Sequence, residues 1–472
     1  MRRIFAAAAA LFLLISCAVE RRLVIVSTND IHSSIDNFPR LATLVEHLRV
    51  ESGGEVLLLD AGDRWTGNPF VDLAERPLSP IVELMNELGY DAATLGNHEF
   101  DWGQALLGER IGEMDFPVVC ANVKSDGAVL GAIPPYVIIE RGGVRVALLG
   151  LVANFTPWGR PEGKAEHFEG LSYPDVFETA KRYAGLRDSC DLFVALTHIG
   201  FERDKQLAEA LPTLDLVVGG DSHTLLSEST KIGGTLVTQT GSGLKYAGIT
   251  TVTRKGDELT VENRLARLDT IPPMEYFSNM VDRYNASPEL HASIGEVASP
   301  LDGRGVDNLV TDALRAAAGA DLSLYHSGGI RIDTLAGGVS TADLYRIDPF
   351  MSEVYTLRMS PGQIKGLILG TFNSDSKEGH RADIMPGGFG YHITTDEAGE
   401  AVEVILTAPN GSPMPERESY LVAMPDYLYK NYRFERTEDA AQTDIAVTDA
   451  LRDHIVGRTP LEPDNEPRVV IK

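Results

Sequence analysis

Residues 94–101 read Thr94-Leu95-Gly96-Asn97-His98-Glu99-Phe100-Asp101. A short apolar run from Ala92 to Leu95 leads into Gly96, which lets the backbone turn sharply. An amide, an imidazole and two carboxylates then follow within five positions. The asparagine oxygen can bind a metal ion, and Asp101 can hold His98 in one tautomer. The segment alone fits a metallohydrolase site or a plain strand-to-helix turn with a solvated acidic start, and the rest of the chain decides between them.

The composition is that of an ordinary globular protein. The chain has 472 residues, enough for two or three domains with cores of their own, and is 43% hydrophobic and 23% charged. Its net charge is -26, from 42 basic and 68 acidic side chains. Sequence-independent binding to nucleic acid needs a basic surface that displaces counterions. We therefore expect no nucleic-acid polymer as partner, and an anionic substrate would need local cations.

The first 17 residues have the pattern of an export signal. Met1-Arg2-Arg3 is a charged start, and Ile4 to Ile15 is an apolar core too short to span a bilayer comfortably. The ending Leu14-Ile15-Ser16-Cys17 resembles a bacterial lipobox, which implies cleavage before Cys17 and lipidation of its thiol. We expect an exported protein that is lipid-anchored to a bacterial membrane and faces the periplasm or the exterior. An ordinary exported or uncleaved segment is the alternative.

The other two cysteines are Cys120 and Cys190. Both lie in apolar runs that indicate buried strands or their ends. Buried cysteine behaves as a small apolar side chain, so we predict free thiols rather than a disulfide.

An α/β pattern extends from residue 23 to about residue 250. Six short runs, leucine-rich or β-branched and bounded by turn residues, predict strands: Val24-Ile25-Val26, Val56 to Leu59, Val118-Val119-Cys120, Val144 to Leu151, Leu192 to Leu196 and Leu214 to Val218. Between them, apolar residues repeat with one-sided helical spacing at Leu41, Leu44, Val45 and Leu48, and again at Ile81, Leu84, Met85 and Leu88. The sequence therefore predicts an α/β domain.

The character of the chain changes after residue 245. Residues 246–269 alternate apolar and polar side chains around Lys255-Gly256-Asp257, which predicts a closing hairpin. Ile271-Pro272-Pro273 breaks the chain, and Met274 to Tyr284 predicts a linking helix. We expect a signal peptide at 1–17, a first domain at 18–270, a linker helix at 271–290 and a second domain at 291–472.

The second domain is predicted to be α+β. Its first helix is predicted at Leu309 to Ala318, its first strand at Leu322 to Tyr325 and a glycine turn at Ser327-Gly328-Gly329. Two further β segments are predicted around Tyr391-His392-Ile393 and at Val402 to Leu406, and a last helix at Ile445 to Ile455.

Five polar clusters follow predicted strand ends. In chain order they are Asn29-Asp30-Ile31-His32, Gly62-Asp63, Gly96-Asn97-His98-Glu99, Thr197-His198 and Gly219-Gly220-Asp221-Ser222-His223. Each is weak evidence alone, because two side chains spaced by two share one face of any extended segment. Open α/β sheets place their sites at the carboxyl ends of strands. Together the clusters supply the carboxylate, imidazole and amide ligands that two neighbouring divalent ions need.

The order and spacing of these clusters resemble the calcineurin-like metallophosphoesterases. Within them the chain is similar to the 5′-nucleotidase family, which includes bacterial UDP-sugar hydrolases and animal ecto-5′-nucleotidase. Gly328-Gly329-Ile330-Arg331 and Asp348-Pro349-Phe350 resemble motifs of that family's substrate domain, so the likeness covers nearly the whole mature chain. It implies a four-layer α/β/β/α metallophosphoesterase domain, a linking helix and a smaller α+β C-terminal domain that binds the nucleoside.

The resemblance also implies roles for the cluster residues. The first metal's ligands correspond to Asp30, His32, Asp63 and His223, and the second metal's to Asp63, Asn97, His198 and Asp221. His98 and Asp101 match the catalytic pair. The implied reaction is attack on phosphorus by a water that two divalent ions, zinc, manganese, magnesium or calcium, make more acidic.

Asp221 stands where the family commonly places a histidine. A carboxylate adds negative charge and a hard oxygen ligand, which favours manganese, magnesium or calcium over zinc and makes the water less acidic. We therefore expect a more alkaline rate optimum than a histidine would give. The alternative is that Asp221 only caps the turn before Ser222.

The predicted substrate contacts lie in the C-terminal domain. Arg331 is the best phosphate ligand, because a guanidinium binds phosphate oxygens bidentately, and Arg304 is a second candidate. Phe350 matches an aromatic residue that stacks on the base. Its partner is expected between Tyr427 and Phe434, where we predict Phe434 or, failing it, Tyr432. His326 stands where the family usually has asparagine, which leaves base selectivity open.

These observations favour a surface-tethered, metal-dependent phosphomonoesterase acting on nucleotides. Three enzyme alternatives share the same core: a 2′,3′-cyclic-nucleotide phosphodiesterase, a UDP-sugar hydrolase and a sulfur-compound hydrolase. A lipid-anchored binding protein with a decayed site is the alternative outside enzymes. Such a protein would have lost several ligands, and only position 221 departs from the pattern.

Overall fold

The computed structural model describes residues 20–228, 230–256, 258–372, 382–415 and 417–472. The first domain contains fourteen strands, β1 to β14, in chain order Glu20–Thr28, Val56–Asp60, Ala92–Thr94, Val118–Val119, Lys124–Ser125, Tyr136–Arg141, Val144–Val152, Leu171–Ser172, Leu192–His198, Leu216–Val218, Thr230–Ile232, Thr235–Thr238, Tyr246–Lys255 and Glu258–Arg267. Its helices α1 to α6 are Phe38–Ser52, Pro69–Asp72, Ser79–Leu88, Gly103–Glu113, Val176–Arg182 and Phe201–Ala210.

Two six-stranded mixed sheets form the centre of this domain. One has the order β14-β13-β1-β2-β3-β4 and the other β11-β12-β10-β9-β7-β6, and the central strands of each run parallel. Buried apolar side chains of both sheets, including Ile25, Leu57, Leu148 and Val194, form one cluster between them. Helices cover the two outer faces. This arrangement confirms the predicted four-layer α/β/β/α architecture.

A helix joins the two domains. This helix, α7, spans Glu275–Tyr284 and packs on α1 through Phe277, Met280 and Val281, which belong to the core of the first domain. The predicted hairpin before it is β13 and β14, which pair in antiparallel register from Tyr246 opposite Arg267 onward.

The second domain is α+β, as the sequence predicts. Its strands β15 to β24 are Ser293–Glu296, Leu322–His326, Gly338–Ser340, Glu353–Met359, Ile384–Gly387, Gly390–Thr395, Ala401–Thr407, Tyr420–Pro425, Ala441–Ala446 and Val469–Ile471. Its helices α8 to α12 are Gly303–Ala317, Thr341–Ile347, Pro361–Phe372, Asp426–Asn431 and Val447–Val456. A five-stranded sheet of order β19-β16-β22-β18-β23 separates two apolar clusters.

Three local features bear on the sequence predictions. Cys120 and Cys190 are buried free thiols, as predicted. Cys17 lies outside the described residues. Across the part of the chain that the structure describes, no helix combines the length and the apolar character needed to cross a membrane.

Candidate active site

The five polar clusters converge at one edge of the first domain. They follow or end β1, β2, β3, β9 and β10, which are central strands of the two facing sheets. Because parallel neighbours end on the same side, their carboxyl ends meet there. The backbone confirms the proximity, since Asp30 N–H donates to Gly62 O at 3.0 Å and His32 N–H donates to Asp63 O at 3.0 Å.

The backbone of these loops is strained at the candidate ligands. Ten described non-glycine residues have positive φ, and five of them are candidate ligands: Asp30 at 49°, His32 at 49°, Asp63 at 55°, Asp221 at 83° and His223 at 54°. Asp and His tolerate the left-handed region better than most residues, but each such position still costs on the order of 1–3 kcal/mol. Strain of this kind is concentrated at functional sites.

One group of candidate ligands contains Asp30, His32 and His223. Their ligand atoms lie within 4.8 Å of one another. His223 Nε2 is 3.4 Å from Asp30 Oδ1 and 3.0 Å from His32 Nε2. His32 Nδ1 lies 3.2 Å from Thr66 O. The other ring nitrogen, Nε2, faces His223, another candidate ligand. A ligating histidine usually has its second ring nitrogen held in this way.

A second group is built on Asp63 and His198. Asp63, Asp30 and His198 also place their ligand atoms within 4.8 Å of one another. His198 Nε2 lies 3.0 Å from Asp63 Oδ2 and 3.9 Å from Asp221 Oδ1, while its Nδ1 is 2.8 Å from Ala61 O. Asn97 is buried beside Gly96. The structure thus brings six of the seven predicted ligands into two adjoining groups that share Asp30. A third group, His32, Asp63 and His98, also places its ligand atoms within 4.8 Å of one another.

The electrostatics of this cluster suit a cation. Burial alone would lower the pKa of His198, but the Asp63 and Asp30 carboxylates raise it well above its usual value. Burial would raise the pKa of Asp63, and the neighbouring imidazoles His198 and His98 lower it instead. His198 Nε2 lies 3.0 Å from Asp63 Oδ2, but this contact lacks the geometry of a hydrogen bond. Buried carboxylates facing buried imidazoles are a donor set that a divalent ion would satisfy.

His98 and Asp101 form a direct pair. His98 Nδ1 donates to Asp101 Oδ2 at 2.7 Å, and the His98 backbone N–H donates to Asp63 Oδ1 at 2.9 Å. Although burial lowers the pKa of His98, Asp101 and Asp63 together raise it to about 9. The geometry places His98 Nε2 towards the ligand cluster, 4.0 Å from Asp63 Oδ2.

Two C-terminal candidates lie against this cluster. Arg331 Nη2 donates to His32 Nε2 at 3.1 Å, and its guanidinium lies 5.8 Å from the centre of the Phe350 ring. Phe350 stacks on His98, with ring centroids 5.5 Å apart and an interplanar angle of 22°. The cleft is therefore assembled from both domains.

His326 lies in an aromatic cluster of the second domain. It stacks on Tyr427, with centroids 4.8 Å apart, and its ring is 5.9 Å from that of Tyr432. Tyr432 donates its hydroxyl hydrogen to the Asp383 carboxylate. Burial lowers the pKa of His326 to about 4, so its imidazole is neutral at physiological pH.

The other C-terminal candidates are placed differently. Arg304 is exposed near the start of α8 and pairs with Asp302 at 2.8 Å. Phe434 packs against the core cluster of the second domain, and its ring contacts Arg436. Of the two aromatic residues predicted as the partner of Phe350, the structure brings Tyr432 rather than Phe434 next to His326.

Sequence reasoning missed one residue that joins the domains at the cleft. Lys164 Nζ donates to Phe350 O at 3.4 Å and lies 3.8 Å from Asp426 Oδ2. Tyr427, which begins the range predicted to hold the aromatic partner, follows the end of β22 and stacks on His326. Lys164 lies in a loop without any strand-end signal.

Comparison with known families agrees with the geometry. Residues 23–225 match the calcineurin-like phosphoesterase family, and residues 294–434 match the 5′-nucleotidase C-terminal domain. The chain therefore belongs to the calcineurin-like metallophosphoesterases. Within that class it has the domain pair of the 5′-nucleotidases, and it is a metal-dependent phosphoester hydrolase.

Three similar proteins illustrate the relationship. The Bacillus subtilis trifunctional nucleotide phosphoesterase YfkN is 26% identical over 86% of this chain, which spans only 32% of that protein. A 5′-nucleotidase of Vibrio cholerae is 26% identical over 73% of this chain and 74% of the Vibrio protein. The solved structure of a 5′-nucleotidase precursor from Thermus thermophilus has a TM-score of 0.81 at 23% identity, covering 95% of this chain and 99% of that one.

Proposed function

We propose that this protein hydrolyses phosphate monoesters of nucleotides as a 5′-nucleotidase. The observation that carries the proposal is the meeting of the first domain's ligand cluster with Arg331 and Phe350 of the second domain. A cleft of this kind offers donors for metal ions, a guanidinium for phosphate oxygens and an aromatic face for a base. The Bacillus and Vibrio relatives are a nucleotide phosphoesterase and a 5′-nucleotidase, which supports a nucleotide as the substrate class.

The proposed metal ligands are seven residues in two sets that share Asp63. Asp30, His32, Asp63 and His223 would hold one divalent ion, and Asp63, Asn97, His198 and Asp221 the other. When bound, such ions make a water more acidic and stabilise negative charge on a phosphoryl group. The metal could be zinc, manganese, magnesium or calcium, and the donor set includes three aspartates.

The protein's own groups supply orientation and charge. The His98 imidazole, fixed by Asp101, would donate a hydrogen bond to a phosphoryl oxygen as negative charge develops on it. Arg331 would bind the same group from the opposite domain. Phe350 would stack on one face of the base, and Tyr432, whose ring lies 5.9 Å from that of His326, is the partner we propose. His326, beside Tyr432, would contact the edge of the base.

A substrate panel with bound-metal analysis tests this proposal. Purified protein would be stripped with a chelator, reloaded with one metal at a time and assayed by chromatography for the hydrolysis products of each substrate. The panel contains nucleoside 5′-monophosphates, 2′,3′-cyclic nucleotides, a UDP-sugar, a sulfur-containing ester and a small aryl phosphate. We expect the highest kcat/KM for a 5′-monophosphate. Metal-loaded protein that releases no phosphate from any monophosphate would overturn the proposal.

We also propose that the mature protein is exported and lipid-anchored through Cys17. The support is the charged start and short apolar core that precede this cysteine. An acyl-modified cysteine attaches a protein to a membrane without a spanning helix.

A further inference from the structure

We propose that Glu99 is a positioning residue that holds the loops after β2 and β3 at the separation that two metal ions need. The proposal rests on the metal site proposed above. Glu99 is fully buried within the segment 94–101, and neither the ligand set nor the His98–Asp101 pair includes it.

The carboxylate of Glu99 joins the two loops through backbone groups. Its Oε2 accepts the N–H of Asp63 at 2.9 Å and also the N–H of Gly96, and its Oε1 accepts the N–H of Arg64 at 2.9 Å. One anion therefore binds three amide groups from two different strand ends. Hydrogen bonds to a charged acceptor are about twice as strong as neutral ones, so this arrangement is a firm link.

The loops that Glu99 joins touch backbone to backbone. A Cβ added to Gly96 would lie 2.1 Å from Asp63 Oδ1, and one added to Gly62 would lie 2.7 Å from Gly96 N. No side chain fits between the two loops at Gly62 and Gly96. The distance between the loops is therefore set by hydrogen bonds. Asp63 also has a φ of 55°, and a backbone in that region persists only where its surroundings fix it. Glu99 binds the N–H of this same residue.

A buried arginine completes the network. Arg64 Nη1 donates to Thr94 O at 2.7 Å and to Asp60 Oδ1 at 3.0 Å, and Nη2 lies 3.5 Å from Glu99 Oε1. The guanidinium thus links Asp60 at the end of β2 to Thr94 at the end of β3. Its positive charge also compensates the negative charge of Glu99. Glu99 binds the backbone N–H of the candidate ligand Asp63, and Asp60 binds that of the neighbouring Gly62, so both act by positioning the loop after β2.

The test compares Mn²⁺ binding by wild type and Glu99→Gln. Glutamine has the same shape, but it has one acceptor oxygen instead of two. Its NH2 group would therefore face at least one backbone N–H that the carboxylate accepts. Groups that support metal ligands typically cost about 10–100-fold in metal affinity when altered, and we expect a loss of that size by calorimetric titration. Electron paramagnetic resonance of the dimanganese form gives a second readout, because exchange coupling reports two adjacent ions. We expect this coupling to be lost or weakened.

Val45→Ala in α1 is the matched control. Val45 is fully buried in the same domain, so its truncation lowers stability without touching the loops. Glu99→Gln with wild-type affinity and coupling would overturn the proposal, as would an equal loss in Val45→Ala. If Glu99→Gln does not fold, Asp60→Asn takes its place, since it weakens the hold on Arg64. Unchanged Mn²⁺ affinity in Asp60→Asn would also overturn the proposal. A wild type that binds no pair of ions would instead refute the metal site itself.

Discussion

The rings of His98 and Phe350 stack with their centroids 5.5 Å apart, although they belong to different domains. His98 is fixed by Asp101 in the first domain, and Phe350 follows α9 in the second. The residue proposed to act on the phosphoryl group and the residue proposed to bind the base are therefore in direct contact.

Replacing Phe350 by alanine should weaken nucleotide binding selectively. Base stacking is worth about 1–3 kcal/mol, so KM for a nucleoside monophosphate should rise about 5- to 150-fold. A small aryl phosphate has no base to stack, and its KM should change little. Steady-state kinetics on both substrates measure the effect. Equal changes for the two, together with a lower melting temperature, would mean that Phe350 is a packing residue only.

His98 and Asp63 should fail in different ways when each is replaced by alanine. Asp63 belongs to both proposed ligand sets and lies 3.0 Å from His198 Nε2, so its loss should lower metal content and activity together. His98→Ala should retain both ions and lose about 10²–10³-fold in kcat, as expected for removal of one group that stabilises charge. Metal analysis beside the kinetics separates the two roles. Loss of metal from the His98 variant would make His98 a ligand.

The aromatic partner of Phe350 can be identified with a matched pair of variants. Tyr432 lies next to His326, whereas Phe434 packs on the domain core under Arg436. Tyr432→Ala should raise KM for nucleoside monophosphates, and Phe434→Ala should lower the melting temperature and leave KM nearly unchanged. The reverse pattern would restore Phe434 as the partner.

Asp221→His should change which metal the protein retains. The Asp221 backbone N–H donates to Asp30 at 3.1 Å, and Asp221 Oδ1 lies 3.9 Å from His198 Nε2. Exchange of a carboxylate for an imidazole replaces a hard ligand with one that suits zinc. The variant should therefore retain more zinc after dialysis against mixed metals, measured by elemental analysis. Identical metal contents in the two proteins would show that Asp221 only caps its turn.

Cys17→Ser should release the protein from the membrane fraction. A serine cannot form the thioether that carries the lipid, so the variant should appear in the soluble fraction after cell breakage. Immunoblots of both fractions, with the wild type alongside, measure this. A variant that is processed and still bound to the membrane would contradict the anchor.

Much of the first domain could be predicted from sequence because its strands are short, apolar and bounded by turns. In both domains, the predicted ends of helices and strands are wrong where local hydrogen bonds decide the boundary. Helix α8 begins at Gly303 rather than at the predicted Leu309, because the Asp302 side chain accepts the N–H of Gly305 and offsets two glycines in the first turn. Leu214 belongs to a turn, its N–H donating to Leu211 O, so β10 starts at Leu216.

The candidate site was predictable to the extent that it follows strand ends. Asp30, Asp63 and His198 meet there because parallel strands end together, which a sequence pattern can indicate. Contacts between domains have no such pattern. The hydrogen bond from Arg331 to His32 depends on how two independently folded cores pack together, and local sequence does not encode that.

The order of the candidate groups along the chain has a consequence for how such enzymes diversify. Every proposed metal ligand lies at or before His223, whereas the proposed base contacts Phe350 and Tyr432 follow the helix that ends at Tyr284. Mutations around these two aromatic residues would therefore alter which molecule is recognised while the proposed metal ligands are inherited intact. An evolving lineage, or a protein engineer, can exchange selectivity without rebuilding the chemistry.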